Sequence, residues 1–160
     1  MLRKNSNAST TVTHTSKFVV NTTWAIDPLL KQNEILICAQ HALLDVKEPE
    51  LQNLQRAIPP VASAAQKPVS TGAESLVAWA TWHHGSDFYT YWCGDVATIL
   101  QCSSLTDTER ELVLLRARKA ESQGMKVYAT GAKLTHEPPK KLESDIEHIG
   151  LVYLRSALHV

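Results

Sequence analysis

The sequence predicts an α+β fold: a twisted antiparallel sheet flanked by helices. Three observations carry this. Two runs of β-branched and aromatic residues, ESLVAWATW (74–82) and DFYTYWC (87–93), flank a four-residue turn, HHGS, that contains Gly85, the pattern of a β-hairpin. The stretch 106–124 opens on a capping box, Thr106-x-x-Glu109, carries an apolar stripe at Val113, Leu114, Ala117 and Ala120, and closes on Gly124. Strands and helices also fail to alternate in the regular order that a parallel sheet requires.

The other elements follow along the chain. Residues 1–16, rich in Ser, Thr and Asn with almost no large apolar side chain, read as a flexible arm. A single module is expected over 17–155, with 156–160 as a C-terminal tail. KFVVNTTW (17–24) has the β-branched content of a strand. Pro28 opens a helix that LLKQNEILICAQHALL (29–44) continues, with Leu29, Leu36, Leu43 and Leu44 among its apolar positions. A second helix covers 48–58, with Pro49 in its first turn and the Pro59-Pro60 pair beyond its end. The small, polar segment VASAAQKPVSTGAE (61–74) reads as a loop. After the hairpin and Gly94, Asp95 caps a short helix, DVATILQC (95–102). Beyond the long helix come a strand (125–134), a polar connection, HEPPKKLESD (136–145), and a last strand, IEHIGLVYL (146–154).

At 160 residues the chain is long enough for one domain with a core. Its 16 basic residues balance 16 acidic ones, so it lacks the electrostatic footprint of a nucleic-acid partner or an acidic membrane surface. No apolar run approaches the roughly 20 residues that span a bilayer, so no membrane insertion is expected. The opening MLRKNSNASTTVTH is too polar for a secretory signal. Three cysteines, Cys38, Cys93 and Cys102, are an odd number at unmatched spacings, which argues against a disulfide framework. A cytoplasmic setting is the expectation.

The stretch YWCGDVATILQCSS (91–104) raises the question of what Cys93 does. A glycine at a strand-to-helix turn lets the backbone approach a ligand, and the residue before it points toward the same space. A nucleophile needs a nearby base and a depressed pKa, but the sequence neighbours of Cys93 are aromatic, so a packed thiol is the expectation. His83 and His84, with Asp87, make a weak metal signal without a Cys-x-x-Cys or a helical His pair. The aromatics Trp79, Trp82, Phe88, Tyr89, Tyr91 and Trp92 have no basic stripe beside them, so core packing explains them better than a base-stacking platform.

From residue 91 onward the elements run strand, x-Gly, a short helix ending in ILQC, a long helix, QGMKVYATGAKL, a polar link, and DIEHIGLVYL. This ordered set resembles the C-terminal half of the nucleotide-binding domain of P-type cation-transporting ATPases. In that family a strand ends in Lys-Gly-Ala-Pro-Glu, a short helix ends in cysteine, and a long helix leads to Gly-Leu-Arg-Val. An aliphatic-Gly-aliphatic strand then closes the domain. Gln123-Gly124-Met125-Lys126-Val127 and Ile149-Gly150-Leu151-Val152 occupy the last two positions. The resemblance covers about 75–154, and with it the expected fold is of the P-type ATPase nucleotide-binding type. Such a domain holds the adenosine end of ATP and carries the γ-phosphate toward an aspartate on a neighbouring domain.

The resemblance places a remnant nucleotide pocket at Glu50, Val69, Thr71, Cys93, Gly94 and Lys126, and the same residues imply that it is degenerate. Cys93 stands at the lysine of Lys-Gly and supplies no positive charge. Val69 stands where the family stacks a phenylalanine on adenine, and Glu74 where a basic residue is usual. Lys126 replaces an arginine and loses its planar fork. Ala97 replaces the glutamate of the Lys-Gly motif. Aligned on Thr13, NASTTVT puts Asn7 at the phosphorylated aspartate, and an amide is not that nucleophile. ATP binding is therefore expected to be weak or lost, with magnesium arriving only through the nucleotide and neither phosphorylation nor transport residing in this chain alone. Lys67 is a candidate to compensate the missing lysine. The implied partners are a nucleotide and the other domains or subunits of a transporter. The alternative is a non-catalytic interaction or regulatory domain that keeps the fold and binds an unknown protein, its cleft filled by side chains such as Trp92 or Met125.

Overall fold

The computed structural model describes residues 17–60 and 67–157. The arm over 1–16 with Asn7, the first part of the expected loop (61–66) and residues 158–160 lie outside the described residues. Among the described residues six strands form one sheet: β1 (Phe18–Ala25), β2 (Ser70–Glu74), β3 (Val77–His84), β4 (Asp87–Gly94), β5 (Lys126–Thr135) and β6 (Glu147–Ser156). Their spatial order is β1-β6-β5-β4-β3-β2, and every neighbouring pair is antiparallel. The described helices are α1 (Gln32–Ala42), α2 (Pro49–Ala57), α3 (Val96–Gln101) and α4 (Asp107–Ser122). This is the α+β class the sequence predicts.

Alternation along the strands sends successive side chains to opposite faces. Val77, Trp79, Trp92, Val127, Ala129 and Leu151 pack with Val96 and Ile99 of α3 and with Val113 and Ala117 of α4. Ala78, Cys93, Tyr128, Val152 and Leu154 pack on the other side with Ile35, Leu36 and Ala39 of α1 and with Leu51 and Leu54 of α2. The sheet is thus a middle layer between two helix pairs. Burial on both faces explains why Leu151, Val152, Tyr153 and Leu154 form an apolar run instead of an alternating one. Each fully buried Leu of these layers contributes roughly 2 kcal/mol over leaving it in water.

Several boundaries differ from the sequence expectation. The first helix starts at Gln32, not Pro28. The Asp27 carboxylate accepts the Leu29 N–H at 2.9 Å and the Asp27 carbonyl accepts the Leu30 N–H at 3.0 Å, a turn that competes with helix. Glu34 then reaches back to the Lys31 N–H at 3.1 Å and sets the start. Leu29 and Leu44 consequently fall outside α1 and are exposed. The second helix agrees with its prediction within one residue at either end. The Glu48 carboxylate caps it, accepting the N–H groups of Glu50 and Leu51, each at 3.2 Å.

The expected loop over 61–74 contains β2. STGAE has little intrinsic strand preference; pairing along β3 makes it one. Ser75 and Leu76 turn the chain with φ of 51° and 59°, the pair of positive values that a tight primed hairpin turn requires. The aromatic hairpin is also tighter than predicted. His83 and His84 belong to β3, His84 stands opposite Asp87, and the chain reverses at Gly85 and Ser86. At the far end β6 runs through Ser156, which pairs with Phe18, so the module extends into residues expected to be tail.

The long helix α4 forms as its capping box predicts. Thr106 Oγ1 accepts the Glu109 N–H at 3.2 Å and a Glu109 carboxylate oxygen accepts the Thr106 N–H at 3.0 Å. Thr106→Ala is expected to lower the unfolding free energy by about 1 kcal/mol, read as a shift of the urea midpoint at unchanged slope. An unmoved midpoint would show that water replaces the cap at no cost.

Candidate functional site

The face covered by α1 and α2 holds most of the residues singled out from the sequence. At its β2 edge a cleft of about 240 Å³ lies between the α1–α2 connection and strands β2 and β3. Asp45, Val46, Lys47 and Glu48 form one wall; Thr71, Gly72, Ala73 and Ala78 lie across from them. The connection is tied down by side chains of α2. Gln55 Nε2 donates to Leu43 O at 2.8 Å and Gln52 Nε2 donates to Val46 O at 3.3 Å. With Glu48 capping α2, this wall is held at both ends.

Of the six expected pocket residues, Thr71 lines the cleft. Val69 lies just before β2, 42% exposed, with its N–H donating to Thr81 O at 2.7 Å. Cys93 is 0% exposed and sits beside Ala78 in the β3–β4 register, on the same face but one strand further from the cleft. Burial, and next the Cys38 thiol, pushes the Cys93 thiol well above the ordinary range. It is a packed, protonated side chain and not a nucleophile. Gly94 permits a close approach, but to protein. A Cβ there would overlap the Leu76 carbonyl and come within 2.7 Å of Val77 Cα, and Leu76 O accepts the Asp95 N–H at 3.0 Å.

Glu50 stands in the first turn of α2 and accepts a hydrogen bond from the Tyr128 hydroxyl at 3.2 Å. Burial first, then this carboxylate, raises the Tyr128 phenol pKa, so the phenol stays a donor. Lys126 is on the same strand as Thr130, the register partner of Cys93, but four residues further along, roughly 13 Å at the rise of a strand. Its ammonium lies over the Phe18 ring, 5.2 Å from the centroid. The structure therefore brings Thr71 to the cleft, leaves Val69 outside its lining just before β2, buries Cys93, engages Glu50 with Tyr128, and holds Lys126 apart. Glu74 turns away too, its carboxylate accepting the Leu142 N–H at 2.8 Å.

Two wall residues escaped the sequence reading. Lys47, not Lys67, lines the cleft, and Glu48 lines it as a helix cap. Pro49 was their signal: a proline opening a helix makes the preceding residue the cap and puts the one before that in the connection. The cleft thus carries one lysine against two carboxylates, Asp45 and Glu48, a net negative lining that disfavours a phosphate chain.

A scan of the chain against protein-family models finds no match, and neither does a search of curated proteins.

Among the described residues no three His, Cys, Asp or Glu side chains come together to hold a metal ion. His83 and His84 are successive residues of β3 and so diverge; Asp87 is instead hydrogen-bonded to His136 Nδ1 at 3.0 Å. No described helix is long and apolar enough to cross a membrane.

Proposed function

We propose that this chain is a nucleotide-binding-domain-like module of the P-type ATPase type whose adenosine site is degenerate. ATP binding is weak or lost, any magnesium arrives with the nucleotide, and phosphorylation and transport do not belong to this chain alone. The observation that carries this reading is the cleft beside β2. It opens on the sheet face shared by Thr71 and Cys93, against the start of α2, with Val69 two residues before Thr71. The side chains there explain the weakness. Val69 offers no ring to a base, a contribution of roughly 1–3 kcal/mol by analogy with nucleic-acid binders, or about 10- to 100-fold in affinity. Cys93 offers neither charge nor surface. Lys47 is the lysine that remains at the cleft.

The test is an amide NMR titration with ATP, with and without magnesium, and GTP as control. The expected result is a set of shifts at 45–48 and 69–73 that do not saturate below about 1 mM and differ little between ATP and GTP. Saturation far below 1 mM with a clear preference for ATP would overturn the degenerate reading. No shift at about 10 mM would retire nucleotide binding and favour the second reading.

That second reading is a non-catalytic interaction domain. Leu112 and Leu115, 44% and 66% exposed at i and i+3 on α4, favour it, since they form an apolar strip on the outer helix. Trp92 and Met125, expected to fill the cleft in that case, pack instead on the α3/α4 face.

A further inference from the structure

A second cavity, of about 230 Å³, lies on the same sheet face under the first half of α1, away from the β2 cleft. Glu34, Tyr89, Tyr91, Thr130 and His148 are among the residues that line it. No Lys or Arg does.

Thr130 gives the first indication that the cavity is built for a ligand. Its side chain is 1% exposed, and among the described residues Oγ1 finds no oxygen or nitrogen partner. It meets only the Cys38 sulfur, a weak acceptor whose own S–H donates to Gly131 O at 3.0 Å. A buried hydroxyl left in this state is an unmet demand. His148 gives the second. It holds a left-handed φ of 56° with no glycine to ease it, where the β5–β6 register slips between Thr130 and Ala132. Backbone strain of this kind gathers at ligand sites.

The chemistry of the walls selects the ligand. Glu34 Oε1 accepts the Lys31 N–H, which fixes the carboxylate on the solvent side of the cavity with Oε2 available. Tyr89 and Tyr91 stand edge to face, centroids 5.1 Å apart, and Tyr91 is braced by His41 at 4.9 Å. Burial, then Tyr91, Cys38 and the carboxylates of Glu147 and Glu34, push the Tyr89 phenol up to about 12. Both phenols therefore keep their protons, both rings line the cavity, and Tyr89 lies within the field of two carboxylates. Glu34 and Cys38 are one helical turn apart, about 6 Å, and Thr130 lies beside Cys38 at the inner end. A 150 Å³ cavity holds benzene, so this one holds a single ring with a short arm.

The geometry points to a binding site for a small arylalkyl ammonium ion, its ammonium on Glu34 and the tyrosine rings and its far-end hydroxyl on Thr130. This site is separate from the nucleotide cleft and stands whether or not ATP binds.

The experiment is an amide NMR titration of the full chain with 3-hydroxybenzylamine, benzylamine and 3-hydroxybenzyl alcohol. The hydroxylated amine is expected to give saturable shifts at 34–38, 89–91, 130–132 and 148, to bind more tightly than benzylamine, and to bind about tenfold more tightly than the alcohol. Glu34→Gln, which retains a side chain able to complete the helix cap, is expected to weaken both amines about tenfold and leave the alcohol unchanged. Thr130→Val, close in shape, is expected to erase the preference for the hydroxylated amine while benzylamine still binds. Equal binding of amine and alcohol, an unchanged affinity in Glu34→Gln, or no saturation by about 10 mM each overturns the proposal.

Discussion

Gly94→Ala is expected to be the most damaging single-methyl change in the chain, lowering the unfolding free energy by about 3–5 kcal/mol. Two effects add. The residue has a φ of 158°, and the new Cβ would be driven into the Leu76 carbonyl and against Val77 Cα, both main-chain atoms that cannot rotate aside. Leu76 lies in a turn already held at positive φ and accepts the Asp95 N–H, so retreat would break the junction of β2, β3 and α3. In thermal unfolding this corresponds to a fall of about 10 °C. Gly124→Ala serves as the control. Gly124 has a φ of 87° but nothing within 4 Å of the added atom, so it reports the backbone strain without the collision. If the two alanine variants lose the same stability, the Leu76 turn yields freely and the close approach has no structural weight.

Trp92 is expected to show the second large effect. Its side chain is 0% exposed among Ile99, Val113 and Leu151, between the sheet and helices α3 and α4. Trp92→Ala is expected to cost about 3–5 kcal/mol through lost burial and the hole left behind. Trp92→Phe is expected to cost much less, about 1–2 kcal/mol. The indole Nε1 has no hydrogen-bond partner, so phenylalanine gives up ring volume but also removes an unsatisfied donor. Urea unfolding of the two variants separates these terms. A phenylalanine variant as unstable as the alanine one would mean that the indole N–H is in fact engaged, for instance by a buried water.

The elements whose signals are local were legible in the sequence. α4 carries its own cap at Thr106 and Glu109 and its own stop at Gly124, and the aromatic hairpin carries alternating β-formers around Gly85. β2 has no such signal. Its residues are small and polar, and its turn uses Ser75 and Leu76 at angles that usually announce themselves with Asn or Gly. It exists because β3 offers an edge, which is a tertiary fact. Pro28 misled for the opposite reason: a strong local helix signal lost to the side chain of the preceding Asp27. At the candidate site, Thr71 is the one expected pocket residue that lines the cleft. Cys93 is the packed thiol that its aromatic neighbours implied, but the helices that cover it come from elsewhere in the chain, and the cleft joins residues 45–48 to 71–73 across a long stretch of sequence. Nothing in the local sequence around Thr130 foretells a buried hydroxyl left with a sulfur for its partner.

The pairing of β1 with β6 has a consequence for how the protein is made. The first described strand finds its only neighbour in the last, and Ala157 N–H closes back on Lys17 O at 2.9 Å. A ribosome releases Phe18, Val19 and Val20 well before the matching Leu154, Arg155 and Ser156, on the order of ten seconds apart. Until then β1 has nothing to pair with, and β6 itself needs β5 in place before it can receive it. The sheet is therefore completed from its middle outward, only after β6 has emerged, and the earliest of the described strands is the last of them to be fastened.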